Sequence, residues 1–383
     1  MKKFAPVIVI FLLAENGIAQ NVGIGTITPK ASFNIAAGKT VLFGADTSGQ
    51  GSKLIWYPTK SAFRAGILYT NHFIPISSTE WDYDNIGTGS FAAGENNLAS
   101  GNYSAALGAF NTASSDYAIA IGNFCRASGY GSIATGNSSN ASGYFSTSMG
   151  RFTIAKSGYE TVVGALNTDY NPLSENGWND MDRLFTIGNG TSSTLRSDAL
   201  VVLKNGNTGI GISKPRAVFN VAEGKTVLFG ADTTSPGSKL IWYPSKSAFR
   251  AGGNALDYWN YQYTGQYSIA TGFATMAYGV GSSAFGGGSF AVGKYATAMG
   301  EGTHADGDVS VAMGEGTDAE SYAETVIGSY DTDYQPESAI DWAENDRLFT
   351  IGNGQQYNKR DALVVLKNGN TGIGTSTPDA KLT

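Results

Sequence analysis

The sequence predicts an all-β protein organised around two β-solenoids, and three observations carry that prediction. First, glycine recurs every seventh residue in two runs. One reads Gly87, Gly94, Gly101, Gly108, Ser115, Gly122, Gly129, Gly136, Gly143, Gly150, Ser157 and Gly164; the other runs from Gly265 through Gly272, Gly279, Gly286, Gly293, Gly300, Gly307 and Gly314 to Ser321 and Gly328. Second, the sixth position of each heptad is nearly always alanine, as in Ala92, Ala99, Ala106, Ala270 and Ala277, while the fourth is mostly Ser, Asn or Thr, as in Ser104, Asn111 and Thr275. Third, the seventh position alternates in character: Leu107, Ser114, Ile121, Ser128 in one run, Met299, Asp306, Met313, Glu320 in the other. The true period is therefore fourteen, and a fixed period of this kind signals a repeat architecture.

Within a heptad, positions four and six share one face and positions five and seven the other, which is strand alternation. Two short strands and two turns then make one coil of a flattened solenoid. The glycine is read as the strand end, where a turn needs a residue free to take positive φ. The apolar residues at positions five and seven, such as Ile119, Ile133 and Val311, predict that one strand of each coil is more buried than the other. The Ala and Ser/Asn columns predict a flat face of small residues for close packing of neighbouring coils or chains. Other seven-residue readings fail. Glycine in every heptad of a coiled coil would cost roughly 1 kcal/mol each relative to alanine. Collagen needs glycine at every third residue, and a calcium-binding β-roll needs a nine-residue glycine–aspartate repeat; no aspartate column exists here.

The Ser-x-Ala-x-Gly columns, as in Ser104-Ala105-Ala106-Leu107-Gly108 and Ser310-Val311-Ala312-Met313-Gly314, resemble the head repeats of YadA-like trimeric autotransporter adhesins. The resemblance covers the two runs, somewhat under half of the chain. It implies a left-handed parallel β-roll, a homotrimer with three chains side by side, and exposure on a bacterial surface for adhesion. Ser115, Ser157 and Ser321 in the glycine column, and the bulky Arg126 and Phe290 at position five, depart from the pattern.

From its start, the chain opens on an expected export signal at residues 1–19: Lys2 and Lys3, an apolar stretch from Val7 to Ala14, and small residues at Gly17-Ile18-Ala19. The apolar stretch is far shorter than the ~20 residues that span a bilayer. Two long modules follow. Asn21-Val22-Gly23-Ile24-Gly25 returns at 207–211 and 370–374, Gly38–Gly44 at 224–230, and Lys53–Pro58 at 239–244. After each glycine run come Asp182–Gly190, repeated at 346–354, and Asp198–Gly206, repeated at 361–369. The expected domains are a β-hairpin connector at 20–86, a head-type β-roll at 87–164, a connector at 165–206, a β-hairpin connector at 207–264, a second β-roll at 265–328, a connector at 329–369, and the start of a third module at 370–383. The connectors read as β-hairpins, with Asn205-Gly206 a strong hairpin-turn signal. Asn-x-Gly-Ile-Gly modules ahead of head-type repeats resemble the surface and tail-fibre-like proteins of Bacteroidetes-type bacteria. The second run is fourteen residues shorter than the first (63 against 77), one whole coil, which is how solenoids change length.

Chemistry is sparse. Cys125 is the sole cysteine, which excludes an internal disulfide and a cysteine-rich metal site; it fills a position-four slot as a small packed side chain. A net charge of −6 with 15% charged residues argues against nucleic-acid binding. His72 and His304 are the two histidines, and neither has metal-ligand spacing around it. The acidic residues Asp169, Glu175, Asp180 and Asp182, matched by Asp333, Glu337, Asp341 and Asp346, could bind calcium through loop oxygens or supply a carboxylate pair. They read better as a polar connector, with Trp178 and Trp342 plugging the open end of each roll. Gly188-Asn189-Gly190 lacks the lysine and helix of a phosphate loop. Trp81-Asp82-Tyr83 and Trp259-Asn260-Tyr261 could stack on sugars, but their place six residues before the first glycine suits a cap on the first coil.

No catalytic, cofactor-binding or metal residue is therefore assigned, no enzyme activity and no cofactor are expected, and the ligand-binding residues cannot be named. The expectation is an exported, trimeric, fibrous protein of the cell surface, outer membrane or medium. It would adhere to an extracellular protein or glycan, with itself as a partner, no nucleic acid and no membrane span after signal removal. The alternative is a tail-fibre-like protein that binds, or less readily cleaves, carbohydrate.

Overall fold

The computed structural model describes residues 21–69, 79–254 and 256–382. The export signal at 1–19 and His72 lie outside the described residues. The chain forms two compact units, residues 1–220 and 221–383. Each described unit is all-β apart from single 3₁₀ turns such as Tyr83–Asn85 and Asp257–Trp259.

The first roll is a stack of parallel coils. Each coil has one long strand and one short strand. The long strands are Phe91–Glu95, Ala105–Ala109, Ile119–Asn123, Ile133–Asn137, Thr147–Arg151 and Thr161–Ala165. They pair in register at an offset of fourteen, so that Ala106 lies beside Ala120 and Ala120 beside Ala134. The short strands, from Leu98–Ala99 to Ile154–Ala155, form a second, five-stranded sheet. The second roll has five long strands, from Ile269–Phe273 to Thr325–Ser329, and four short ones. One long strand fewer is the missing coil.

The connectors continue the long-strand sheet. Before the first roll, Ala62–Leu68 pairs parallel with Phe91–Glu95 and antiparallel with Gly51–Tyr57. After it, Arg183–Asn189 pairs parallel with Thr161–Ala165 and antiparallel with Asp198–Leu203. The turn after Leu203 is closed by Gly206 at φ +89°, with Gly206 N donating to Leu203 O. Thr208–Ile210 then pairs back onto Asp198–Leu203. The second unit repeats this order with Gly237–Tyr243, Ala248–Asn254, Arg347–Asn353, Asp361–Leu366 and Thr371–Ile373.

The core corrects the predicted orientation. Positions four and six point inward: Ala92, Ala106, Ala113, Ala120, Asn111 and Ser132 are fully buried. Positions five and seven point outward, with Ile121 40% and Met149 47% exposed in the single chain. A coil made of only two strands is too thin to hold leucine or isoleucine between its sheets, so the small columns fill it. Their polar members are paired. Ser104 Oγ donates to Gly101 O (2.6 Å), and Asn111 Nδ2 donates to Leu107 O and Gly122 O (both 2.8 Å) while Asn111 Oδ1 accepts from Cys125 N (2.9 Å). Cys125 is the next rung of that column and is buried.

The glycine column has two causes. Gly94, Gly108, Gly122, Gly136, Gly150 and Gly164 take positive φ, as predicted, but Gly101, Gly129 and Gly143 do not. A Cβ on Gly101 or Gly143 would stand 1.9 or 2.1 Å from the carbonyl oxygen of the next coil. Close coil-to-coil approach, rather than turn geometry, demands glycine there. Ser157 and Ser321 stand where no further coil follows, and their hydroxyls donate to Arg183 O and Arg347 O (2.8 Å each). Nothing in the structure explains Ser115. The turns themselves take positive φ at position three, on Tyr103, Phe110, Tyr117, Phe124, Phe145 and Tyr159. That conformation aims the amide backwards: Tyr117 N donates to Asn102 O of the preceding coil (2.8 Å).

Candidate binding surface and roll ends

Each roll presents two broad outward faces and two turn edges. The outward face of the long-strand sheet carries an apolar stripe: Leu107, Ile119, Ile121, Ile133, Met149 and Val163 in the first roll, and Phe285, Met299, Val311, Met313 and Ile327 in the second. These residues were read from the sequence as interior; they are half-exposed instead. The opposite outward face is polar in the first roll, with Thr112, Ser114, Arg126 and Ser128, and mixed in the second, where Met276, Tyr278, Phe290 and Val292 precede His304, Asp306, Asp318 and Glu320. His304 Nδ1 lies 3.2 Å from Asp318 Oδ1, and that bond raises its pKa. Lys359 Nζ holds the other oxygen of Asp318 at 2.8 Å.

One edge of the first roll is an aromatic ridge. Tyr103 and Tyr117 stack at 5.4 Å between centroids, Tyr117 meets Tyr130 at 5.4 Å, Tyr130 meets Phe145 at 5.4 Å, Phe145 stacks on Tyr159 at 5.7 Å, and Tyr159 meets Trp178 at 6.4 Å. The matching edge of the second roll is broken: Gly281 lies between Tyr267 and Tyr295, and a Cβ there would strike the Tyr295 ring at 2.6 Å. Sequence reasoning missed this ridge, although a signal existed in the Tyr or Phe that recurs two residues after the glycine.

The roll ends carry different buried charges. Between coils the backbone bonds run both ways: Ala105 N donates forward to Ala118 O, while Phe124 N donates back to Ala109 O. At the start, the fully buried Arg64 donates to Ser90 O (3.0 Å), Ser90 Oγ (2.7 Å) and Ala99 O (2.9 Å), and Trp81 Nε1 donates to Asn97 O (2.9 Å). Arg250 and Trp259 repeat these bonds in the second roll. Burial lowers the pKa of each arginine to about 10. At the finish, Glu160 Oε2 accepts from Lys156 N (2.9 Å) and Ser157 N (3.0 Å), and Glu324 does the same for Glu320 N and Ser321 N. Burial pushes both carboxyls up to about 7. Sequence reasoning missed all four charged residues. Their signal is an interruption: Arg64 occupies an alanine slot ahead of Gly66, and Glu160 a serine slot.

Trp81 and Trp259 are fully buried on the first coil, as caps. Trp178 and Trp342 do not plug the far end: they are 56% and 54% exposed, beside Lys204 and Lys367. The acidic connector residues are not brought together. Asp182 accepts from Leu173 N and Ser174 N, Asp169 pairs with Lys156, and Asp180 accepts from Trp178 Nε1. Among the described residues no group of three or more His, Cys, Asp and Glu is placed to hold a metal ion. Gly188 and Asn189 lie in and at the end of a strand, Arg183–Asn189.

The YadA head domain repeat matches residues 86–111, 99–124, 127–153, 264–289 and 291–317. Both rolls carry YadA-type head repeats. The matches fall on the parallel coils and not on the hairpin connectors. Head repeats of this type make the chain adhesin-like and fit a structural solenoid better than an enzyme fold. No curated protein matches the chain. No helix among the described residues is long and apolar enough to cross a membrane.

Proposed function

We propose that the protein is an exported, homotrimeric, fibrous surface protein whose two YadA-type rolls mediate adhesion to an extracellular protein or glycan. One observation carries this reading. The coil interiors are already filled by Ala, Ser and Asn, yet the long-strand face leaves at least one large apolar side chain partly exposed on each coil, among them Leu107, Ile121, Ile133 and Met149. Fully covering one such side chain is worth roughly 1.5–3 kcal/mol, and a stripe repeated on every coil is the surface that identical chains would share. The short-strand face and the turn edges then remain for ligands, each presented three times, so that avidity replaces a deep pocket. Residues 1–19 would export the chain, and the connectors at 165–206 and 329–369 would join roll to roll.

A second reading, a carbohydrate-binding fibre, is favoured by the aromatic ridge, which leaves Tyr103, Tyr117, Phe145 and Tyr159 exposed. Light scattering after size exclusion tests the assembly, with three chains expected and a monomer at micromolar concentration counting against it. A glycan array and a panel of matrix proteins, each probed with the whole chain and with Tyr117→Ala, separate the two readings by which panel gives a signal that the substitution weakens.

A further inference from the structure

The second unit seals a lysine and an aspartate from water beside a second acid. Asp346 precedes the strand Arg347–Asn353, Lys367 follows the strand Asp361–Leu366, and Lys367 N donates to Asp346 O at 2.9 Å. Lys367 Nζ stands 3.8 Å from Asp346 Oδ2, with side chains only 0% and 2% exposed. The Asp346 carboxylate also accepts from Glu337 N (2.6 Å) and Ser338 N (3.0 Å). Lys367 Nζ donates to Ser321 Oγ (3.1 Å), and Ser321 N donates to Glu324 Oε2 (2.9 Å). Glu324 Oε1 is buried without a partner. The Trp342 ring lies 5.6 Å from the ammonium.

We propose that Lys367 Nζ and Asp346 Cγ condense to an intramolecular amide that cross-links the two strands at the close of the second roll. The lysine nitrogen attacks Cγ and an N–C bond forms. One carboxylate oxygen leaves, taking the two protons that the ammonium gives up, so that –NH₃⁺ and –COO⁻ become –NH–CO– and one water. No oxidant or co-reactant is needed. Glu337 N and Ser338 N already point at the carboxylate oxygens, where charge develops at the tetrahedral stage. Glu324, held by the Ser321 amide and carrying a buried Oε1 with no partner, takes up one ammonium proton and returns it to the leaving oxygen. It is suited to this because burial lifts its pKa to about 7, while burial also lowers that of Lys367 and favours the free amine. The driving force is electrostatic: a buried ion pair carries a desolvation penalty that a neutral amide does not. In the first unit the matching Lys204 reaches Gly177 O at 3.4 Å instead, so the bond is assigned to the second unit.

Intact-mass spectrometry of the folded full chain, denatured just before injection, tests the assignment. The expected mass is one water below that of the same chain without the bond, and digestion should release a branched peptide joining Lys367 to Asp346. Lys367→Arg keeps the charge but cannot form the amide, and it should restore the missing water. Glu324→Gln keeps the shape, and should leave most of the chain unlinked while its circular dichroism stays that of the parent. An undiminished mass in the parent chain overturns the proposal. A missing water that survives Lys367→Arg overturns it too, because dehydration then lies elsewhere, as in an aspartyl succinimide.

Discussion

Replacing Gly122 by alanine tests the reason for the glycine column. Gly122 has φ +125°, where a side chain is strained, and a Cβ there would lie 2.0 Å from Gly136 O and 2.9 Å from Gly136 C. The backbone strain alone costs about 1–3 kcal/mol. Ordinary van der Waals contact requires the next coil to retreat by about 1.5 Å. Ile119 N to Ser132 O (2.9 Å) and Ser138 N to Asn123 O (2.8 Å) flank the clash and would stretch past bonding distance. Leaving buried groups unpaired costs ~1–3 kcal/mol each, so Gly122→Ala should cost on the order of 4–6 kcal/mol, a large part of a typical domain's stability. Gly302 is the control: its φ is +61° but nothing lies within 4 Å of its would-be Cβ. Gly302→Ala should cost only the left-handed penalty of ~1–2 kcal/mol. Urea titration followed by circular dichroism, with the midpoints of the two variants compared, reads the difference. Equal midpoints would refute the close-approach argument and return the glycines to a purely conformational role.

Removing residues 129–142 deletes one coil and joins Ser128 to Gly143, and this variant should melt within a few degrees of the parent. Removing 129–135 alone should instead unfold the neighbouring coils, because a short-strand heptad then falls in the long-strand sheet; equal melting temperatures would show that the coil is seven residues long. Acidification should stabilise the roll ends. The folded-state pKa of Glu160, Glu324 and Asp331 is raised by burial to about 7, so the stabilising protonated form is complete below the ordinary carboxyl range and lost as pH rises through about 7. The melting temperature should therefore fall between pH 5 and pH 8, and the Glu160→Gln/Glu324→Gln pair should flatten that slope. Ile121→Asp, on the exposed stripe, should leave β-type circular dichroism intact but lower the mass seen in light scattering; an unchanged mass would place the chain–chain surface elsewhere.

The coil was legible in the sequence because two periods coincide in it, the twofold alternation of a strand and the fourteen-residue return of each column. Its inside and outside were not. Leu107 and Ile121 look like core residues and Ala106 like a spacer, yet the gap between two sheets of one thin coil admits only the alanine. The turn was legible in half. Glycine takes positive φ at Gly122 and its counterparts, as expected, but Tyr117 and Phe145 take that conformation as well, repaid by a backward amide bond and by ring stacking along the edge. Trp81 was read correctly as a cap because its place just before the first coil repeats in both modules. Trp178 repeats as well, but its indole is left outside because Glu160, Tyr170 and Arg183 already close that end, with Tyr170 OH near Glu160 Oε2 at 3.4 Å and Arg183 over the Tyr170 ring at 4.3 Å.

Both modules repeat the same flanks around rolls of different length, because each flank has to satisfy only the terminal coil that it meets. Arginine, tryptophan and lysine can meet carbonyls, and Arg64, Trp81 and Lys60 do so at the start of the first roll. Carboxylates and amide oxygens can meet N–H groups, and Glu160 and Asn167 do so at its finish, where Arg196 also donates to Phe152 O. The caps touch only the terminal coils, so a coil can be gained or lost without altering them. The side chains on the outward faces make none of these bonds. They are free to differ between the rolls, as the serine-rich short-strand face of the first and the half aromatic, half acidic one of the second already do, and such a face can change what it binds without changing how the coil folds.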